Sequence, residues 1–338
     1  MTHTRGAAVL RGIDGDRTVT DRLLLRTVPG AVDYLFEDLR ALPWVTVVSR
    51  RPDGLVVDWS GPLSELAGIR YFATCAVVLD DVDARVSAPD GALSTLSALS
   101  GPVRFRVAPV GDERWELRDR LVEKYGWVND SGDWAVNIDD DGGLIAEIGP
   151  LFYPRRFGEL TRAPASTNPV VAAVMVRLAK IEPGQVVLDP CCGAGTLLVT
   201  AGQMADPDVL LGVDLRDRWA MASQENLTAR RVPGLALMAD ATALPLPDGS
   251  VDRVVANLPF GKRIGSHADN QRLYPAVLRE LRRLLRPKGR AVLLTEDKRL
   301  FTQSVQRTHG LRVVKEIEFT RPGAHPSAYV VTSRRSGR

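Results

Sequence analysis

The second half of the chain, from about residue 165, alternates apolar runs with stretches of helical spacing. The apolar runs predict five buried strands, at residues 186–190, 209–215, 236–240, 250–256 and 291–297. Amphipathic stretches and glycine or proline turns lie between them, and two further apolar runs near the end predict a hairpin. Strands that alternate with helices indicate a parallel, doubly wound α/β sheet with an antiparallel strand at its edge.

The first 150 residues show a different pattern. Short apolar runs are separated by turn clusters such as RRPDG and DDDGG, and two stretches, AVDYLFEDLRAL and RWELRDRLVEKYG, have helical spacing. We therefore predict an α+β region at residues 1–150, built from two small sub-layers. Residues 151–166 contain two prolines and no regular period, so we expect a linker there, followed by the α/β domain at residues 167–335.

Four successive strands of the predicted sheet end in a glycine turn or a polar side chain. LDPCCGAGT, with Gly193 and Gly195, follows the first strand, and the next three end at Asp214, Asp240 and Asn257. The turn lacks the third glycine of a dinucleotide motif, and each acid alone is equally explained as a helix cap or turn residue. Together at one sheet edge they predict carboxylates that accept hydrogen bonds from ribose and adenine. A cationic nucleoside such as S-adenosylmethionine fits this acidic rim better than a dinucleotide.

The fourth strand end carries the sequence NLPFGKR. The Asn257 side-chain oxygen and the Leu258 carbonyl are two acceptors for an NH₂ group on a planar ring. Accepting both hydrogens turns the nitrogen lone pair toward an incoming methyl group. Pro259 fixes the backbone direction, Phe260 offers a stacking face, and Gly261 admits a ring closely. Because methyl transfer from a sulfonium depends on alignment more than on a strong base, the motif predicts methylation of an exocyclic amine.

Composition excludes several other classes of protein and site. The chain has 338 residues, enough for two or three domains, and is 45% hydrophobic and 25% charged, as in ordinary globular proteins. Three cysteines are too few for a disulfide framework. Four histidines, at positions 3, 267, 309 and 325, show no metal-ligand spacing, so we expect no metal site. The absence of long apolar stretches and of an apolar leader segment predicts a soluble, cytoplasmic protein.

Charge is distributed unevenly along the chain. Residues 1–164 carry 19 Lys and Arg against 25 Asp and Glu, a net charge of −6, whereas residues 165–338 carry 25 against 16, a net charge of +9. A basic second half suits an anionic partner such as RNA, although a solvated charged surface explains it equally well. The candidate phosphate contacts are Lys262, Arg263, Arg282, Arg283, Arg155 and Arg156.

The segments LDPCCGAGTLL, GVDL, MADA and NLPFGKRIGS, in this order, resemble the THUMP-domain RNA methyltransferases that methylate N2 of guanosine in tRNA. This resemblance implies a Rossmann-like methyltransferase domain that uses S-adenosylmethionine. It implies Asn257, Pro259 and Phe260 as catalytic residues that position the guanine. The implied cofactor-binding residues are Asp189, Cys191, Gly193, Gly195, Asp214, Asp240 and Asn257.

Over the first half the resemblance is looser. TVPGAVDYLFEDL and VRFRVAP are similar to segments of the THUMP module, which grips the 3′ end of tRNA in that family. The implied RNA-binding surface should be positive, yet this half is net negative and contains a single lysine, Lys124.

The expected function is therefore methylation of a guanosine N2 amine in RNA, with tRNA as the expected substrate. The resemblance implies the acceptor-stem region as the target and a monomeric enzyme. Because the Asn-x-Pro-Phe tetrapeptide is shared with other methyltransferases, rRNA guanine, DNA adenine and protein glutamine are alternative substrates. A non-catalytic RNA-binding protein that keeps the fold is the alternative from another class.

Overall fold

The computed structural model describes residues 7–79, 94–108, 114–259, 267–320 and 323–333. The chain forms two compact units, Ala7–Glu159 and a second unit that begins at Leu160. The boundary between them falls inside residues 151–166, the range that the sequence suggests as a linker. Within the described ranges, no helix is both long enough and apolar enough to cross a membrane.

The first unit is built on one mixed sheet. Its strands are β1 (Thr18–Arg26), β2 (Val45–Arg51), β3 (Gly54–Pro62), β4 (Thr74–Val78), β5 (Arg104–Val107), β6 (Val128–Asn129), β7 (Val136–Asp140) and β8 (Leu144–Ile148). They neighbour one another in the order β2-β3-β1-β4-β8-β7-β5-β6. Its helices are α1 (Val32–Leu39), α2 (Leu63–Gly68), α3 (Arg114–Tyr125) and α4 (Tyr153–Phe157). The antiparallel pairing of β4 with β8 makes the sheet continuous, where the sequence suggested two separate sub-layers.

Strand β1 lies in the middle of this sheet, between β3 and β4, and was not predicted. The reason is the polar pair Asp21 and Arg22, which interrupts its apolar pattern. Asp21 is nevertheless buried, because its Oδ2 accepts hydrogen bonds from the backbone N–H and the hydroxyl of Thr95, at 2.7 and 2.6 Å. A distant partner therefore makes a charged residue acceptable inside the strand.

The second unit is an α/β domain. Its strands are β9 (Val186–Asp189), β10 (Val209–Asp214), β11 (Leu235–Met238), β12 (Val251–Asn257), β13 (Leu285–Thr295), β14 (Leu311–Glu318) and β15 (Ser327–Ser333). Its helices are α5 (Pro169–Ala179), α6 (Thr196–Met204), α7 (Asp217–Ala229), α8 (His267–Leu284) and α9 (Lys298–Arg307). The sheet order is β11-β10-β9-β12-β13-β15-β14, with β9 to β13 parallel and β15 antiparallel to both of its neighbours. The doubly wound fold predicted from the sequence is confirmed, although the antiparallel strand lies one place in from the edge.

Helix α8 shows why these residues form these elements. Its apolar positions recur three and four residues apart, and Tyr274, Leu278 and Leu281 are at most 1% exposed. They pack against the sheet together with Phe301 of α9. The helix thereby covers one face of β12 and β13 and ties the segment after β12 to the core.

Candidate active site

A cleft of about 220 Å³ opens at the carboxyl ends of the parallel strands in the second unit. The strand order reverses here, because β10 and β11 lie to one side of β9 and β12 lies to the other. Open α/β sheets bind their ligands at such a switch point. The predicted site residues that line the cleft are Asp189, Cys191, Gly193, Asp214, Asp240, Asn257 and Pro259. Folding thus brings the polar strand ends together, as the sequence predicted.

The glycine turn after β9 forms the floor of the cleft. Gly193 and Gly195 adopt left-handed φ angles of 51° and 79°, which favour glycine. The Gly195 N–H donates to the Cys192 carbonyl at 2.8 Å, and α6 starts at the next residue. A Cβ on Gly195 would lie 2.3 Å from Ser223 Oγ and 3.2 Å from Ser223 Cα, so α7 packs directly against the turn.

Replacing Gly195 with alanine should destabilise the protein by several kcal/mol. A left-handed φ costs an alanine about 1–2 kcal/mol, and the contact with Ser223 adds about 1–3 kcal/mol of overpacking. Gly184 is a matched control, because its φ is 82° but a Cβ there meets nothing within 4 Å. Urea unfolding of Gly195→Ala and Gly184→Ala separates the two costs. Equal losses in the two variants would contradict the packing of α7 on this turn.

Asp214 connects the glycine turn to the second strand end. Its Oδ2 accepts the N–H of Gly193 and its Oδ1 accepts the N–H of Arg216, both at 3.0 Å. The carboxylate is half-buried and is held in one orientation from both sides. A carboxylate fixed in this way is preorganised to accept hydroxyl groups of a ribose.

Asp240 has a looser environment at the rim. It is exposed, and its Oδ1 accepts the N–H and the hydroxyl of Thr242, at 2.8 and 2.7 Å. These hydrogen bonds lower the pKa of Asp240, because they favour the charged form. The turn interaction that the sequence left open as an alternative is therefore present, and the side chain lines the cleft as well.

Asp189 is buried at the base of the turn, with 1% of its surface exposed. Its Oδ1 accepts the backbone N–H of Cys191 at 3.1 Å. Burial raises the pKa of Asp189 to about 8, and the nearby Asp214 adds to the shift. Burial also raises the pKa of the Cys191 thiol, which lines the cleft as a neutral group.

The raised pKa of Asp189 predicts a pH dependence of stability. Between the usual pKa of 3.8 and about 8, the folded protein keeps a proton that the unfolded chain has lost. The free energy of unfolding should therefore fall as the pH rises through this window, by up to about 1.4 kcal/mol per pH unit. Urea unfolding between pH 5 and 8 tests this, with Asp189→Asn as the control that lacks the slope. Parallel profiles for the two proteins would show that Asp189 is ionised throughout.

Residues 163–167 form the second wall of the cleft. Most of them lie within the linker that the sequence predicts at residues 151–166. Asn226 of α7 connects Thr161, just before this segment, to the glycine turn. Its Nδ2 donates to the carbonyls of Thr161 and Ala194, at 2.9 and 2.8 Å, and its Oδ1 accepts the N–H of Thr161 at 3.0 Å. In the sequence, only the presence of an asparagine within a predicted helix could have indicated this contact.

The wall contains a strained turn. The Ser166 N–H donates to the Ala163 carbonyl at 3.1 Å, with Pro164 and Ala165 between them. Ala165 has a φ of 64°, a conformation that favours glycine and is unusual for alanine. Its carbonyl accepts the Nδ2–H of Asn257 at 3.1 Å. Backbone strain therefore lies where the wall meets the predicted catalytic asparagine.

Asn257 ends β12 and contributes both groups of its side-chain amide to the site. Because a carbonyl can only accept, the contact with Ala165 identifies the atom on that side as Nδ2. Oδ1 is the other group of the amide; it is buried and accepts no hydrogen bond from the residues that the structure describes. A buried acceptor without a partner costs about 1–3 kcal/mol of stability, so a ligand that donates to it gains that much binding free energy.

Three further predicted site residues, Phe260, Lys262 and Arg263, lie outside the described residues.

Two of the candidate phosphate contacts are structural residues instead. Arg156 has no exposed surface and donates to the carbonyls of Ala67, Ile69 and Phe72 in the first unit. Burial lowers its pKa to about 9. Its prediction as an RNA contact is therefore wrong, because no phosphate reaches a guanidinium enclosed by backbone.

Arg283 is committed in the same way on helix α8. It donates to the carboxylates of Glu280 and Asp248, at 2.6 Å each, and to two backbone carbonyls. This network leaves Arg283 unsuited to phosphate, contrary to the prediction.

Arg282 is exposed, but it lies on the last turn of α8. This helix has 18 residues, about 27 Å in length, and begins on the side of the sheet where the cleft opens. Arg282 therefore lies near the amino ends of the parallel strands, away from the cleft.

Arg155 belongs to the first unit and remains exposed. Its guanidinium lies 5.2 Å from the ring centre of Trp134, and that of Arg106 lies 4.1 Å from the same ring. Cationic groups stacked on an indole make a compact positive feature on this unit.

Comparisons with known proteins agree with this geometry. Residues 159–326 match the UPF0020 family model, described as "RMKL-like, methyltransferase domain". The chain is 34% identical over 233 residues to mouse tRNA (guanine(6)-N(2))-methyltransferase THUMP3, covering 62% of this chain and 46% of that protein. It is 35% identical over 183 residues to mouse U6 snRNA (guanine-N(2))-methyltransferase THUMPD2, covering 52% of this chain and 34% of that protein. The chain thus spans less than half the length of these two relatives.

A solved structure resembles nearly the whole chain. The crystal structure of TrmN from Thermus thermophilus superposes with a TM-score of 0.66 and 26% sequence identity, covering 93% of this chain and 99% of that one. The similarity therefore includes the first unit as well as the α/β unit.

Proposed function

We propose that this protein methylates a guanosine N2 amine in RNA with S-adenosylmethionine, since residues 159–326 match the UPF0020 model of an RMKL-like methyltransferase domain. The expected RNA is tRNA. The single observation that carries the proposal is the Oδ1 of Asn257, a buried acceptor with no hydrogen-bond donor among the described residues, at the cleft where the strand order reverses. An exocyclic amine supplies the hydrogen that this oxygen lacks.

The residues of the cleft fit the cofactor. Asp214 would hold the cofactor by accepting its ribose hydroxyls, Asp240 would accept its adenine amine, and the turn that contains Gly193 would lie beside it. When bound, S-adenosylmethionine supplies a methyl group on a positively charged sulfur. The carboxylates of Asp214 and Asp240 line the cleft, and their negative charge favours a cation over a phosphate.

The chain's own residues then act by orientation. Asn257 Oδ1 and the Leu258 carbonyl accept the two hydrogens of the amine and draw its lone pair out of the ring system. The nitrogen aligned in this way would accept the methyl group as the bond from methyl carbon to sulfur breaks, and the amine would release one proton to water. Alignment of this kind supplies about 7–11 kcal/mol of barrier reduction in well-oriented systems. No general base is required.

Two observations favour RNA as the substrate. Both curated relatives are named as guanine-N2 methyltransferases, one acting on tRNA and one on U6 snRNA. The likeness to TrmN extends over the first unit, which we propose is a THUMP-like RNA-binding module. Arg155 and Arg106 on Trp134 supply a positive feature on this net acidic unit.

We also propose that the protein works as a monomer in the cytoplasm, where it meets tRNA.

Transfer of labelled methyl groups to three separate pools tests the function. Total tRNA, rRNA and release-factor protein are incubated with the enzyme and labelled S-adenosylmethionine, and the products are digested to nucleosides or amino acids. We expect N2-methylguanosine from the tRNA pool. Label in rRNA would overturn the choice of RNA, and label in glutamine would overturn RNA as the substrate. No label, with S-adenosylhomocysteine still bound, would favour a non-catalytic RNA-binding protein.

A further inference from the structure

Tyr274 lies directly behind the segment that follows Asn257. It sits on α8 with no exposed surface, and its hydroxyl is 2.7 Å from the Pro259 carbonyl. The same hydroxyl is 2.7 Å from Oγ1 of Thr295, the last residue of β13, which is also fully buried. Thr295 Oγ1 in turn accepts the N–H of Asp297 at 3.0 Å. A short chain of hydrogen bonds therefore links the end of β13 to the end of β12.

The direction of this chain follows from its two ends. The Pro259 carbonyl can only accept, so Tyr274 donates to it. The tyrosine oxygen then accepts from Thr295, whose own oxygen accepts the N–H of Asp297. Every member has its donor and acceptor matched, which makes a buried polar network stabilising rather than costly. Burial raises the pKa of Tyr274, so the phenol keeps the proton that it donates.

This network fixes the peptide group that carries the second proposed acceptor. The Leu258 N–H donates to the Leu294 carbonyl at 2.9 Å, which anchors the segment on one side. The Tyr274 hydroxyl anchors the Pro259 carbonyl on the other side, and the proline ring sets φ between them. The Leu258 carbonyl lies between these two anchors and is therefore held in one orientation.

We propose that Tyr274 is a positioning residue for methyl transfer, which acts by holding the Leu258–Pro259 peptide in its productive orientation. This inference rests on the proposed function. A buried tyrosine usually finds a partner for its hydroxyl; here the partner is the backbone of the catalytic segment itself. Tyr274 touches neither the amine nor the cofactor, and its effect passes through Pro259.

The test compares two Tyr→Phe variants from the same aromatic cluster. Tyr274 and Tyr329 both pack on Phe301, with ring centres 6.2 and 4.7 Å away, and both are buried. Tyr274→Phe should lower the single-turnover rate of methyl transfer by about 10- to 100-fold, because small misplacements of reacting groups cost that much. The dissociation constant for S-adenosylhomocysteine should stay within about twofold. Tyr329→Phe should keep the wild-type rate.

A binding measurement provides a readout independent of turnover. RNA that carries inosine at the methylated position lacks the N2 amine, so the wild-type protein should bind guanosine RNA more tightly than inosine RNA. Tyr274→Phe should lose this preference, and Tyr329→Phe should retain it. Equal rates and equal preferences in wild type and Tyr274→Phe would overturn the positioning role, as would equal losses in both variants.

If Tyr274→Phe fails to fold, substitutions of Thr295 test the same hydrogen-bond network. Thr295→Val removes the hydroxyl that donates to Tyr274, and Thr295→Ser keeps it. We expect the rate to fall several-fold in the valine variant and to recover with serine; a wild-type rate in the valine variant would overturn the proposal. A wild-type protein that methylates no RNA would instead refute the proposed function, so the two failures are distinguishable.

Discussion

Replacing Asn257 with alanine should reduce methyl transfer by at least about 100-fold while leaving cofactor affinity within about twofold. The side chain provides an acceptor that no group within the described ranges satisfies, and it is held by donating to the Ala165 carbonyl. Losing one preorganised group that acts on the reacting atom costs about 10²–10³ in rate in comparable sites. Single-turnover assays with tRNA and calorimetry with S-adenosylhomocysteine measure the two effects separately.

Asn257→Asp separates acceptance from orientation. The aspartate keeps an oxygen for the amine but cannot donate to the Ala165 carbonyl, and its carboxylate would face that carbonyl unfavourably. We expect a rate well below wild type, with cofactor affinity little changed. A fully active alanine variant would refute the role of this side chain in aligning the amine. An aspartate variant with the wild-type rate would show that the contact with Ala165 is dispensable.

Removing the Asp214 carboxylate should weaken cofactor affinity by about 100-fold. Hydrogen bonds to a charged group contribute about 1.5–3 kcal/mol each, and a tenfold change in affinity corresponds to about 1.4 kcal/mol. Asp214→Ala loses the acceptors proposed for the ribose hydroxyls, and it also loses the hydrogen bond from the Gly193 N–H. Calorimetric titration with S-adenosylhomocysteine gives the dissociation constant directly.

Asp240→Ala is the natural comparison for that measurement. Asp240 is exposed and bonds only to Thr242 among the described residues, so solvent screens its contribution and the expected loss is about tenfold or less. The order of the two effects matters more than their sizes. A larger loss at Asp240 than at Asp214 would mean that the adenosine lies differently in the cleft from the arrangement proposed above.

The local pattern of apolar residues was sufficient to predict the strands that position the site. Buried runs such as VVLD and VLLGVD are apolar on both faces, because helices cover both sides of a parallel sheet, and they ended within a residue or two of their predicted limits. Strand β13 begins earlier than expected, because Leu285 pairs with Val251 before the stretch RPKGR. Residues 286–289 bulge between that pair and the next, Arg253 with Arg290, and Lys288 has a φ of 69°. Pairing with a neighbour decides that, and a short window of sequence does not contain the neighbour.

The supporting residues of the site could not be found in the same way. Tyr274 sits among apolar residues on the buried face of a helix, where a tyrosine looks like any other core residue. Its significance depends on Pro259 and Thr295, which come from two different strand ends. Asn226 likewise binds Thr161 and Ala194 from outside its own helix. The prediction for Arg156 was wrong for the opposite reason. Its charge suggested a position on the surface, but it is buried and donates to internal carbonyls.

The placement of β15 between β13 and β14 has a consequence for how the protein is made. On the ribosome, β13 and β14 emerge first, and neither has its common neighbour until residues 327–333 follow. Until then each presents an unpaired edge, which is the feature that promotes aggregation of nascent chains. The first unit can complete its sheet much earlier in synthesis. The second unit therefore needs β15 to join β13 and β14, and stalled ribosomes or premature stop codons near residue 326 would release chains in which both strands lack this neighbour.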